Sequence, residues 1–115
     1  IAGSWSDYDR EPMDWNGESF VYLIQFEQRG LAWEFQLLID RRWDQAVYPN
    51  VRRASLRDNY KVMGPDDGGN NWNWCMGKKG VEVIEGDTPY GICVMLDVSG
   101  NVAMVSWQRL DEGAT

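Results

Sequence analysis

"SFVYLIQFEQRGLAWEFQLLI", residues 19–39, holds the strongest pattern in the chain. Phe20, Tyr22, Ile24 and Phe26 fall on one parity, with Val21, Leu23 and Gln25 on the other, and Leu31, Trp33, Phe35 and Leu37 repeat the period of two. Side chains alternate between two faces only in an extended strand, so the stretch predicts two half-buried strands. Arg29 and Gly30 between them predict that the two close into a hairpin.

The same signals recur along the chain. "QAVYP" reads as a short third strand ended by Pro49, which cannot donate to a ladder, and "ASLRDNYKVMG" (54–64) has room for a fourth. "GPDDGGNN" (64–71) is turn chemistry throughout. Its oxygen-rich side chains suggest calcium but lack the spacing and closing Glu of an EF-hand loop, so a turn is predicted. "WNWCM" and "VEVIEG" read as short strands around "GKKG", and "YGICVMLDV", "SGN" and "VAMVSWQRL" as a closing hairpin. Helical periodicity appears nowhere over ten or more residues. Six to nine short strands between Gly, Pro, Asn and Asp turns predict an all-β chain, a single antiparallel β-sandwich over residues 1–115.

Composition narrows the function classes. The 115 residues include seven Trp, five Tyr and three Phe, more aromatic bulk than a small core requires, which leaves rings for a binding surface. Eighteen Asp and Glu against eleven Lys and Arg give a net charge of −7, which argues against nucleic acid as a partner. The basic residues cluster: Arg41, Arg42, Arg52, Arg53, Arg57 and Lys61 fall within residues 41–61, predicting a basic face that is either a solvated strand edge or a dock for an acidic surface. No apolar run approaches the ~20 residues of a membrane span. The opening "IAGSW", without Met or signal-like segment, reads as a processed or trimmed start. Cys75 and Cys93, each among apolar neighbours, read as free thiols by default, with a disulfide open if their strands adjoin.

Histidine is absent, which removes the usual general base, the Ser-His and Cys-His pairs and most zinc sites. Neither a P-loop nor a GxGxxG pattern occurs. The expectation is a protein that is not an enzyme and carries no cofactor or metal.

The aromatic residues divide. Trp33, in phase with Phe35 and Leu37, and Trp107, in phase with Ala103 and Val105, are predicted to point inward. Trp43, Trp72 and Trp74 sit in turn-rich segments beside Arg42, Asp44, Asn71 and Asn73, and Trp72 and Trp74 share a parity, so both rings would project from one face. Such rings either grip a sugar or a partner's flat apolar surface, or cap an open end of the sandwich. With Arg41, Arg42, Arg52, Arg53 and Arg57 they form the candidate contact area.

"FQLLIDRRWDQAVYP", "GPDDGGNNWNWCMGKKG" and "VAMVSWQRL", with Trp5, Met13, Phe35, Gln36, Asp40, Tyr48, Pro49, Gly64, Pro65, Asp66, Trp74, Gly77, Val105 and Trp107, form an ordered set that spans nearly the whole chain. Through them the chain resembles a domain that recurs, often in tandem, in proteins of peridinin-type algae. The resemblance implies an immunoglobulin-like sandwich similar to starch-binding, carbohydrate-binding modules, with no catalytic residues to carry over. It further implies a non-catalytic accessory subunit peripheral to a photosystem and its light-harvesting antenna, thylakoid-associated in the chloroplast. Such a subunit binds other protein subunits through its surface. An α-glucan-binding module is the alternative.

Overall fold

The computed structural model describes residues 1–110, and they form two antiparallel sheets packed face to face, an all-β sandwich. In the first sheet, β1 (Ala2–Gly3), β4 (Trp33–Ile39), β5 (Arg42–Pro49) and β6 (Val62–Asp66) lie in that order, and β7 (Trp74–Met76) also pairs with β4. In the second sheet the order is β2 (Asp14–Trp15), β3 (Ser19–Gln25), β8 (Pro89–Leu96) and β9 (Val102–Arg109). A 3-10 turn, Ser4–Ser6, lies between β1 and β2.

Alternation gave the faces of β3 and β4 but not their pairing. Ile24, Tyr22 and Phe20 pack on the core while Leu23 is 65% exposed, and Phe35 and Leu37 are buried, as their parity predicts. The predicted hairpin does not form, because β3 pairs with β8 and β4 with β1, β5 and β7. Between the two strands the chain crosses from one sheet to the other: Phe26 O accepts from the Asp87 amide at 2.6 Å, and the Gly30 amide donates to Ile84 O at 2.9 Å. Phe26 then stacks on Trp33 across the sandwich, 4.7 Å between ring centres and 6° between planes. Two amphipathic strands that face each other across a core have the same alternation as two that lie side by side. Leu31, at the end of that crossing, is exposed.

The tight hairpin is the next one. β4 and β5 join through Asp40 and Arg41, both with positive φ (52° and 62°), the backbone signature of a type I′ turn, whose twist suits paired strands. Residues 81–86 are not a strand. Val81 and Glu82 amides both bond to Lys78 O in a turn, and Ile84 is buried as a single anchor. Gly64, Pro65 and Asp66, assigned to a turn from sequence, end β6 instead, and the Asp66 carboxylate accepts from Tyr48 Oη and the Gly68 amide, both at 2.8 Å.

Phe35 is the hub of the core. Its ring lies 6.0 Å from Trp5, 5.7 Å from Trp74 and 5.7 Å from Trp107, pairs each contributing about 0.5–1.5 kcal/mol beyond area burial. The Trp107 indole N–H donates to Glu82 Oε2 at 2.8 Å, which anchors the 78–84 turn to the second sheet. Indoles thus fill the sandwich around Phe35, and the inward positions further along the same strands are Leu37, Val94 and Val105.

Candidate functional site

That uneven distribution of bulk leaves one end of the sandwich open. Beyond Phe35 the first sheet contributes Leu37, Val47 and Val62, and the second contributes Phe20, Val94, Leu96 and Val102, which together wall a cleft of about 750 Å³. β8 and β9 place two of these residues through a bulge. Met95 opposes Met104 and Leu96 opposes Val102, so Ala103 is the extra residue and the parity reverses. Val102 therefore lines the cleft, whereas Ala103, predicted inward, is exposed. Trp15, 52% exposed on β2, packs edge-on against the wall residue Phe20 at 5.0 Å.

The mouth of the cleft is polar. Arg10 Nη1 donates to Arg41 O at 2.9 Å, and Arg41 Nη2 donates to Arg10 O at 3.2 Å, so the two side chains cross over and hold each other. Glu11 Oε2 accepts from Tyr22 Oη at 2.5 Å. Burial, followed by that bond, pushes the Tyr22 phenol up to about 12. Asp97 Oδ1 is taken by the amides of Ser99 and Asn101. Asp40 also lines this end.

A second recess, about 320 Å³, opens on the outer face of the first sheet. Between Leu38–Ala46 and Ile39–Arg42 the β4–β5 register skips Trp43, Asp44 and Gln45, which bulge from the ladder. The bulge is clipped by Arg42 donating to both Asp44 oxygens at 3.0 and 2.7 Å, a bond that holds the Asp44 carboxyl below its ordinary range. Trp43, 45% exposed, borders the recess with Tyr8, Asp67 and the amides of Asn70, Asn71 and Asn73. Tyr8 and Asn71 both have positive φ, 60° and 69°.

The structure does not bring the sequence-predicted contact residues together. Trp74 is 0% exposed in the middle of the core, stacked on Phe35 and edge-on to Tyr60 at 6.0 Å, so it offers no face to a ligand. β7 is held on both sides: it pairs with β4 and forms a parallel bridge through Ala54. Turn-type neighbours in sequence mask that burial. Trp72 lies outside β7, half-buried under the Arg52 guanidinium at 4.8 Å, a cation–π contact. The predicted Trp72–Trp74 platform is therefore not formed.

The basic stretch is also divided. Arg41 and Arg42 lie at the turn that begins β5, and Arg52, Arg53 and Arg57 follow its other end, roughly 20 Å away at ~3.3 Å per residue. Arg53 stands 3.9 Å from Glu34, and Arg57 is exposed. Only Arg41 lines the cleft, joined there by Arg10, which the clustering signal missed. Cys75 and Cys93 lie in different sheets as free thiols, Cys75 buried with its thiol pushed up by desolvation. Among the described residues no three His, Cys, Asp or Glu side chains gather as a metal site, and no helix is long and apolar enough to cross a membrane.

No family model matches the chain, nor does any curated protein or solved structure.

Proposed function

We propose that this chain is a non-catalytic accessory module that works by binding, and that its working part is the end of the sandwich where the cleft opens. The observation that carries this is the unfilled volume itself. Here a cleft of about 750 Å³ opens to solvent at one end of the sandwich, apolar in its walls and polar at its mouth, within the usual size range of ligand pockets. Walls left bare forgo roughly 25 cal/mol for each Å² that an occupant would cover. The polar groups of the mouth support binding over catalysis: Glu11 and Asp97 are engaged by neighbouring donors. Elsewhere, Asp44 and Asp58 are held below their ordinary range, by Arg42 and by the Ser55 amide with Lys78, the direction of structural ion pairs and not of a general acid.

The algal resemblance supplies the setting, a peripheral subunit of a photosystem–antenna assembly at the thylakoid of a chloroplast. Trp43 on the β5 bulge and Arg42 beside it are the partner-facing contacts, since exposed Trp and Arg dominate interface energetics. The test of the cleft is fluorescence titration with an uncharged apolar dye, N-phenyl-1-naphthylamine. Binding is expected, weakened by Val62→Asn or Leu96→Asn at the half-buried wall and untouched by Trp43→Ala. Absence of binding, or equal binding by the wall variants, refutes it.

A second reading, an α-glucan-binding module, is favoured by one feature. The recess beside Trp43 combines an exposed indole with the side chains of Asn70, Asn71 and Asp67, the ring-plus-amide chemistry that holds a sugar. It predicts that soluble α-glucan oligosaccharides quench tryptophan fluorescence and that Trp43→Ala abolishes the quenching. No response at millimolar sugar removes it.

A further inference from the structure

We propose that Arg10 and Arg41 form a head-group subsite at the mouth of the cleft, and that the ligand is a single-chain amphiphile: an apolar tail between the sheets and an anionic head on the two guanidinium groups. The proposal rests on reading the cleft as a binding site and adds the chemistry of what enters it.

Two arginines are held together at the mouth of the cleft by the fold. Each guanidinium donates to the other residue's carbonyl, which uses one of the five N–H donors of each. Among the described residues neither has a carboxylate within ion-pair distance, whereas Arg29, Arg42, Arg53 and Lys78 each have one. Among the described residues Arg52, Arg57, Lys61 and Lys79 have none either, so what sets Arg10 and Arg41 apart is their pairing at the mouth of the cleft. The N–H donors that remain on the two forks suit the paired oxygens of a carboxylate or phosphate.

The neighbouring acids leave room for such a head. Glu11 is turned to the Tyr22 hydroxyl, and Asp97 to the amides of its own turn. Asp40 is the one acid of this mouth without such a bond, and its charge works against the anion. The walls behind the arginines, Leu37, Val62, Leu96 and Val102 with Phe20 among them, are apolar, a lining that suits a methylene chain.

The test uses the full chain and displacement of N-phenyl-1-naphthylamine by dodecanoate, dodecyl phosphate and dodecanol, three molecules with the same tail. At pH 8 one or both anions are expected to displace the dye at about tenfold lower concentration than the alcohol, the scale of one charge-assisted hydrogen bond. Which anion is stronger distinguishes a fatty-acid from a phosphate source. Arg10→Gln with Arg41→Gln, checked for an unchanged fold by circular dichroism, is expected to bring anions and alcohol within about twofold of one another. Equal displacement by all three in the parent protein, or a preference that survives in the double variant, overturns the subsite while leaving the cleft. Failure of the dye and all three ligands to bind overturns the cleft reading and the subsite with it.

Discussion

Replacing Trp74 by alanine removes the largest fully buried side chain, one that stacks on Phe35 at 5.7 Å and meets Tyr60 edge-on at 6.0 Å. Truncating a buried Trp costs about 3–5 kcal/mol, because the transfer free energy of the ring is lost and the neighbours collapse only partly into the hole. β7 is three residues long, held between β4 and the Ala54 bridge, so the backbone has little freedom to close over the gap. Against a typical total of about 5–15 kcal/mol, that loss is a large fraction of stability. At about 4 °C per kcal/mol for a domain of this size, the midpoint falls by roughly 12–20 °C. Part of the cost is offset, since the Trp74 indole N–H meets no acceptor among the described residues and the variant removes that buried donor. Thermal and urea unfolding followed by far-ultraviolet circular dichroism measure the effect, with Trp43→Ala on the exposed bulge as the control, expected within about 0.5 kcal/mol of the parent. A Trp74→Ala midpoint within two or three degrees of the parent would refute the burial argument and restore Trp74 to the surface.

Gly64 has φ +90°, and a Cβ there would lie 2.2 Å from the Ala46 carbonyl oxygen, so Gly64→Ala is expected to cost about 2 kcal/mol or more, whereas Gly100→Ala, at φ +84° in open space, costs about 1; urea midpoints compare the two. Tyr22 holds its proton to about pH 12, above the ordinary 10.0, so its contribution to stability is complete below pH 10 and disappears as pH rises from 10 through 12. Absorbance titration should show a phenol that lags to about pH 12 and is missing in Tyr22→Phe; five tyrosines ionising together near 10 in the folded protein would contradict this. Cys75 should stay silent to a thiol reagent until the protein is unfolded, after which both cysteines react, and prompt labelling of Cys75 in the native state would count against its burial.

The fold class was legible because period-two alternation is a local property: the faces of β3, β4 and the C-terminal half of β9 could be read from parity, and Phe35, Leu37, Val105 and Trp107 are where parity puts them, whereas Ala103, before the bulge, is not. Pairing was not legible, since strands that face each other and strands that lie side by side obey the same alternation. Phe26 decides between these, and only by stacking on Trp33 from the opposite sheet. Trp74 was misplaced for a related reason. Its neighbours Asn71 and Asn73 are turn formers, but Asn73 is itself buried, its amide donating to Glu34 Oε1 at 3.2 Å, so polar neighbours did not mean a surface. The cleft had no signal in the sequence: Trp5, Trp74 and Trp107 converge on Phe35, and Val47, Val62, Val94 and Val102 gather at the other end, only in the folded chain. Reading it requires the registers, including the Ala103 bulge. Arg10 and Arg41, thirty-one positions apart, meet only through the Ala2–Arg10 bridge and the β4–β5 turn, which no local pattern announces.

Methyl-resolved nuclear magnetic resonance on protein labelled at Val and Leu, titrated with N-phenyl-1-naphthylamine, asks whether the gap between the sheets admits a guest. Saturable shifts concentrated at Leu37, Val47, Val62, Leu96 and Val102, with the exposed Leu23 and Val83 unmoved, are the expected result. Shifts spread over the outer faces of the sheets, or none at any concentration of dye, would contradict it.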